Sequence, residues 1–227
     1  MTVLAIDTAF AACQVALLSA EGELLYRESR AMQRGQAEVL PAILQAAFAA
    51  AGCRPAALGL VAVSIGPGSF TGVRVGVAAA RGLALVAGCD VVGITTLEAL
   101  AAMAPADALQ CGAAGLAVIS ARRGQVYAQP FRAAPRPRDL GPPQVADLHG
   151  LDPLPGAGGP LAWAVGDAAA DAVVAGLATH LVPDSELPAP ESLARLAMAD
   201  REAGQLRPAL PLYVRGPGAA LPGDAPA

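Results

Sequence analysis

SIGPGSFTGVRVGVAAARGLAL, residues 64–85, decides how the rest of the chain is read. An apolar run, LVAVSI (60–65), stops at a turn of glycines, one proline and two hydroxyl residues, and a helix-compatible run follows. Strand, glycine turn and helix is a common way to hold a phosphate, because free N–H groups at a helix start point at the anion. Two standard forms fail on residue type. A P-loop needs Lys after its last glycine, and the 227-residue chain has no Lys at all; its 15 basic residues are all Arg. The dinucleotide fingerprint G-x-G-x-x-G breaks at Thr71, where the third glycine belongs. Pro67 has no N–H to give an anion. Two readings remain: Ser69 or Thr71 caps the helix, or an anion sits at its open N–H groups.

The helix is apolar almost all round. At 100° per residue, Gly72, Gly76, Ala79, Ala80 and Leu83 form one stripe, and Arg74, Ala78, Arg81 and Leu85 the opposite one. A helix packed on one side carries a broad polar face; this one offers two arginines, so burial on more than one side is expected. One face covers the chain's own sheet, and the other needs a second helix, in this chain or in a partner. Gly76 and Gly82 each cost about 0.5–1 kcal/mol relative to Ala inside a helix, which close approach of another backbone would offset. Periodicity leaves open which stripe faces outward. Gly76→Arg separates the cases: it breaks a dimer if the glycine stripe meets a partner, and unfolds the N-terminal lobe if that stripe meets the sheet.

Outward from this segment the chain reads as α/β. VLAID (3–7) is a buried strand, and CQVALLS (13–19) with ELLYRES (23–29) flanks the turn Ala20-Glu21-Gly22 as a hairpin. Val39, Leu40, Ile43, Leu44, Ala47, Phe48 and Ala51 recur at helical spacing over 38–51, with Pro41 placed in the first turn and Gly52 as the stop. Strands follow at 58–65 and 90–95, with a short helix over 96–104 that Pro105 closes. Then the pattern restarts: GLAVISARRGQVYAQPF (115–131) echoes LAIDTAFAACQVALLS (4–19). An irregular loop is expected over 132–160, a strand over 161–167, and helices over 168–177 and 190–204. A three-strand start followed by alternating helices and strands, met twice, predicts two related α/β halves.

Composition narrows the function classes. At 55% apolar residues the chain is globular, and a formal net charge of −4 gives no general pull toward nucleic acid. Cys13, Cys53, Cys89 and Cys111 are widely separated and form no C-x-x-C pair, so reduced thiols are expected. The N-terminus, MTVLAIDTAF, shows no basic leader, and no charge-free apolar run reaches the length of a membrane span. Arg122 and Arg123 stand together at the second hairpin, either to meet a phosphate or as an ordinary solvated turn.

SIGPGSFTGVRVGVAAARGLAL resembles the most recognisable segment of the bacterial TsaB (YeaZ) family. VLAIDTA (3–9) is similar to the family's opening strand and GQAEVLPAI (35–43) stands where its first helix begins. SARRGQVYAQPF (120–131) resembles its second hairpin and PLYVRGP (211–217) its closing motif. Three positions depart from the pattern: Ala9 replaces a Ser, Gln36 or its neighbour a His, and Ser120 the Asp of Asp-Ala-Arg.

The resemblance implies a two-lobed α/β fold of the actin/hexokinase/Hsp70 (ASKHA) type, each lobe a mixed sheet flanked by helices. The expected layout is an N-terminal lobe with the dimerisation surface over 1–106 and a smaller lobe over 107–216. The final helix is free to pack back on the first lobe, and 217–227 is a disordered tail. The implied role is that of a non-catalytic, cytoplasmic scaffold for making threonylcarbamoyladenosine beside the anticodon of tRNA. Its partners would be the paralogue TsaD, which carries the metal and performs the transfer, and the ATPase TsaE. Alone it would form a homodimer through the same surface, meeting tRNA only through the complex and no membrane.

The implied partner interface is Thr71, Gly72, Val73, Arg74, Gly76, Val77, Ala80 and Arg81. Asp7, at the end of the first strand, stands where kinases of this fold hold a magnesium–phosphate group, and Thr8 and Ser69 join it as the expected nucleotide or phosphate contacts. ATP or ADP with Mg at the complex interface is therefore the cofactor expectation, with nothing firmly bound to the chain alone. Asp167 is either a second such carboxylate or an N-cap. The paralogue's metal site needs H-x-x-x-H on a helix; the two histidines here, His149 and His180, are far apart, so no metal site is expected. An active small-molecule kinase and a stand-alone structural homodimer are the alternative readings.

Overall fold

The computed structural model describes residues 2–151 and 160–214. The tail over 217–227, the last residues of the closing motif and part of the 132–160 loop lie outside the described residues. The chain divides into two compact units, Met1–Met103 with Leu187–Leu212, and Ala104–Glu186 with Tyr213–Ala227.

In the first unit, β1 (Thr2–Asp7), β2 (Ala12–Leu18) and β3 (Leu24–Ala31) form an antiparallel meander. Helix α1 (Gln36–Ala50) leads to β4 (Leu58–Ser64), α2 (Phe70–Ala87), β5 (Asp90–Ile94) and α3 (Thr96–Ala101). The sheet order is β3-β2-β1-β4-β5, with β4 parallel to both β1 and β5. Period-two alternation assigns the faces. Leu4, Ile6, Val61 and Val63 pack with Leu40, Ile43 and Phe48 of α1 and with Val73, Val77 and Ala84 of α2. Val3, Ala5, Leu60 and Ala62 point the other way, toward Leu193, Leu196 and Ala197 of the last helix (Pro190–Glu202). That helix therefore covers the first unit's sheet.

Two expectations need correction here. Helix α1 begins at Gln36, so Pro41 stands inside the helix and not in its first turn; its side is exposed, and the one backbone bond it withholds faces water. The helix expected over 96–104 ends at Ala101. A separate helix, α4 (Ala106–Cys111), follows Pro105 and opens the second unit.

The second unit repeats the plan. Strands β6 (Ala114–Ser120) and β7 (Val126–Arg132) form a hairpin; β8 (Arg138–Asp139) and β9 (Gln144–Ala146) both pair with β7 inside the stretch expected to be irregular. Strand β10 (Leu161–Val165), helix α5 (Ala169–Val174) and β11 (Ala178–Leu181) complete it. The helix expected over 168–177 is shorter because Gly176, at φ 75°, turns the chain into β11. The order β8-β7-β6-β10-β11 matches β3-β2-β1-β4-β5 position for position, two antiparallel pairs and then two parallel ones. Its core includes Trp163, whose ring lies on Gly115 and whose indole N–H donates to the Ala113 carbonyl at 3.3 Å. The last helix, numbered α6 (Pro190–Glu202), follows.

Candidate functional site

The turn before α2 is built by what presses on it from two sides. From β1, the backbone of Thr8 and Ala9 runs against the helix start. Ser69 N–H donates to the Ala9 carbonyl at 2.7 Å, and the Thr8 hydroxyl to the Gly72 carbonyl at 2.7 Å. A β-carbon on Gly68 would overlap the Ala9 carbonyl, one on Gly72 the Thr8 carbonyl, and one on Gly76 would stand 2.5 Å from the Thr8 hydroxyl. From the other side comes the segment after α6. Leu212 N–H donates to Ile65 O at 2.8 Å, and Leu212 O stands 3.1 Å from where a β-carbon on Gly66 would be. Gly66 itself has φ 96°, in the region where a side chain is strained. The glycines are there because protein backbone fills the turn.

Ser69 is the N-cap of α2, its hydroxyl accepting from Gly72 N–H at 3.2 Å. Asp7 is 1% exposed and Thr8 fully buried. The Asp7 carboxylate accepts from Ala9 N–H at 2.9 Å, from the Ser64 hydroxyl, and from Gln14 Nε2 at 3.4 Å. Gln14 is held in turn by Pro188 O at 3.0 Å and by the Ser29 hydroxyl at 2.9 Å. Burial pushes the Asp7 carboxyl above its ordinary range, and the three hydrogen bonds pull it back only in part. Asp7 and Thr8, expected at a nucleotide phosphate, are therefore turned inward, with no open face for magnesium or phosphate; the donor set does not fit that group. Asp167, in the second unit, is no N-cap: its Oδ1 accepts from Ser120 N–H at 2.7 Å, and Ala168 occupies the cap of α5. No group of three or more His, Cys, Asp or Glu side chains suited to a metal occurs among the described residues.

The expected partner set divides along the helix. Gly72, Val73, Gly76, Val77 and Ala80 are buried against the first unit's own core, which corrects their place on an interface: the glycine stripe faces the sheet. Thr71, Arg74 and Arg81 are exposed. They lie on an outer face with Phe70, Ala78, Gly82, Leu85 and Val86, of which Leu85 is 84% and Val86 67% exposed. The Arg74 guanidinium stacks 3.7 Å from the centroid of the Phe70 ring. A groove of about 540 Å³ runs beside Arg81, Gly82, Leu85, Cys89 and Val91. Over 18 residues α2 has a mean hydropathy of 1.4, long and apolar enough to cross a membrane; here its inner face packs on β1 and β4.

One pairing was beyond sequence reading. Glu98 is almost fully buried, accepts from Thr95 N–H at 2.9 Å in a capping box, and takes both terminal nitrogens of the Arg207 guanidinium. The Arg207 carbonyl accepts from Gly93 N–H at 2.9 Å, so the segment after α6 is fixed to β5 and α3. With 109 positions between the charges, no local signal in the sequence marks the pair.

The repeated three-strand-plus-two sheet, flanked by helices, is the ASKHA architecture of actin-like and hexokinase-like proteins. The activator of the 2-hydroxyisocaproyl-CoA dehydratase from Clostridium difficile shares that fold at 12% identity and a TM-score of 0.50, over 90% of this chain and 97% of that one. A much nearer structure is YeaZ from Pseudomonas aeruginosa, at 27% identity and a TM-score of 0.78, covering 94% of this chain and 99% of that one. The family model described as TsaD, tRNA N6-adenosine threonylcarbamoyltransferase, matches residues 30–160. The tRNA threonylcarbamoyladenosine biosynthesis protein TsaB of Escherichia coli (strain K12) is 41% identical over 133 residues, 56% of this chain and 53% of that protein. The match thus spans about half the length of that curated relative. The chain belongs to the TsaB (YeaZ) family.

Proposed function

We propose that this chain is a non-catalytic scaffold subunit in the synthesis of threonylcarbamoyladenosine on tRNA, docking on the catalytic paralogue TsaD through the outer face of α2. The observation that carries this reading is the state of that face. The inner side of the helix is already satisfied by the sheet, yet Leu85 and Val86 stand 84% and 67% exposed beside a groove. Exposed apolar surface of this kind marks a place where another protein sits. The pathway is that of relatives such as the tRNA threonylcarbamoyladenosine biosynthesis protein TsaB of Escherichia coli. The enclosed Asp7 supports a chain that lends a surface and performs no phosphoryl transfer. TsaE joins as the ATPase partner, tRNA is met through the assembly, any ATP or ADP with Mg is held at the complex interface, and the same face closes on a second copy when the chain is alone, in the cytoplasm.

The test is a mixture with TsaD on a sizing column with light scattering. The expected result is a heterodimer from the unaltered chain, and none from a Leu85→Asp, Val86→Asp double variant that melts at the unaltered temperature. A heterodimer that survives the double substitution overturns the assignment of the face.

A further inference from the structure

We propose that the turn joining β6 to β7 is a phosphate-docking tip for an RNA backbone, with Arg122 and Arg123 as its cations. This rests on the reading that the chain serves tRNA modification, and it adds a contact on the second unit.

The backbone is the first observation. The turn is closed by Ala121 N–H to Gln125 O at 2.7 Å and Gln125 N–H to Arg122 O at 3.3 Å. Between them Arg123 sits at φ 62°, ψ 33°. Among the described residues only Asp184 shares a positive φ without being glycine. A long, bulky cation is an uncommon choice for that conformation, which Gly, Asn or Asp adopt with less strain. Gly124 follows with φ 76°, so of two successive left-handed positions at the tip of the turn one is glycine and the other arginine.

The side chains are the second observation. Both arginines are exposed. Elsewhere in the chain Arg27, Arg30, Arg201 and Arg207 are engaged with carboxylates. Arg122 and Arg123 have neither an ion pair nor a side-chain hydrogen bond among the described residues. Asp167 accepts from Ser120 N–H at the foot of the same turn, and Asp147 follows β9 alongside it; neither pairs with the two arginines.

Two adjacent, exposed guanidinium forks suit phosphate oxygens better than the scattered carboxylates of a protein surface. Contacts of this type position a nucleic acid without reading its sequence. They are local, which agrees with a chain whose overall charge of −4 would not attract RNA by itself.

The experiment measures binding of an unmodified tRNA transcript by the full chain, alone and with TsaD, as a function of salt. The variant is Arg122→Gln with Arg123→Gly. Glycine keeps the left-handed turn and relieves it, so the melting temperature should hold or rise. The slope of log affinity against log salt is expected to fall by about one to two, one for each lost phosphate contact, with the TsaD complex unchanged on the sizing column. An unchanged slope, or no tRNA binding to either form, overturns the tip and leaves the scaffold reading standing. If TsaD does not bind, the scaffold reading fails, and the tip is judged by the slope of the chain alone. Competition by polyglutamate but not by tRNA would assign the turn to an acidic protein and overturn the RNA contact.

Discussion

The hydroxyl of Thr8 donates to the carbonyl of Gly72 across 2.7 Å, joining the exit of β1 to the first turn of α2 over 64 positions of sequence. The same approach leaves no room for a β-carbon on Gly72, because the Thr8 carbonyl occupies its place. The obstacle is backbone, which cannot swing aside as a side chain would. Gly72→Ala should therefore destabilise the first unit by about 1–3 kcal/mol or more, the range of overpacked cores. Gly82 lies in the same helix, exposed, with nothing within 4 Å of its would-be β-carbon. Gly82→Ala should stabilise the isolated chain by about 0.5–1 kcal/mol, the intrinsic helix preference. Urea unfolding of the two variants checks the pair, and a loss at position 82 or none at 72 would contradict this packing.

How much of this could be read beforehand follows from the range of each interaction. VLAID is a short continuous apolar run, so the buried strand is legible from local residues, whereas the division of Leu4 and Ile6 from Val3 and Ala5 onto opposite faces is seen only in the fold. The duplicated start was readable for the same reason. The direction of the glycine stripe was not: α2 is apolar on both sides, and the choice is made by Thr8 and Ala9, which arrive from another strand. A cap at Ser69 and an anion at the open N–H groups look alike in sequence; the backbone that fills the turn decides for the cap. The sequence marks Asp7 by its place at the end of a strand, but its enclosure depends on Ser64, Gln14 and Ala9 together. Strand β11 reads ATHL, with no alternation to mark it, and exists because Gly176 ends α5 early.

Trp163 supplies a probe of the second unit. It is the chain's single tryptophan and 1% exposed. Its ring occupies the space where a β-carbon on Gly115 would stand, on the neighbouring strand β6. Gly115→Ala should push the indole off the sheet, weaken its bond to the Ala113 carbonyl and cost about 1–3 kcal/mol. The expected readout is a red-shifted tryptophan emission with a lower unfolding midpoint. An unshifted spectrum at an unchanged midpoint would mean that β6 and β10 yield easily at this point, against the packing described.

The buried Asp7 predicts how stability responds to pH. Burial is the largest influence on its carboxyl and raises it above the ordinary value of 3.8; the bonds from Ser64, Ala9 and Gln14 act in the opposite sense. Above that ordinary value the unfolded chain releases the proton while the folded chain keeps it. The folded state then binds more protons than the unfolded one, so this group makes stability fall as pH rises. The fall begins near the ordinary value and ends once pH passes the raised one, where both states are ionised. Asp7→Asn keeps an oxygen for Ala9 N–H and Ser64 and cannot ionise, so it should lose this slope. Urea midpoints of the unaltered chain and the variant, taken between about pH 4 and pH 8, should diverge in favour of Asn as pH rises and then run parallel. Parallel midpoints over the whole range would show that Asp7 is already ionised in the folded chain at low pH, and that its bonds outweigh its burial.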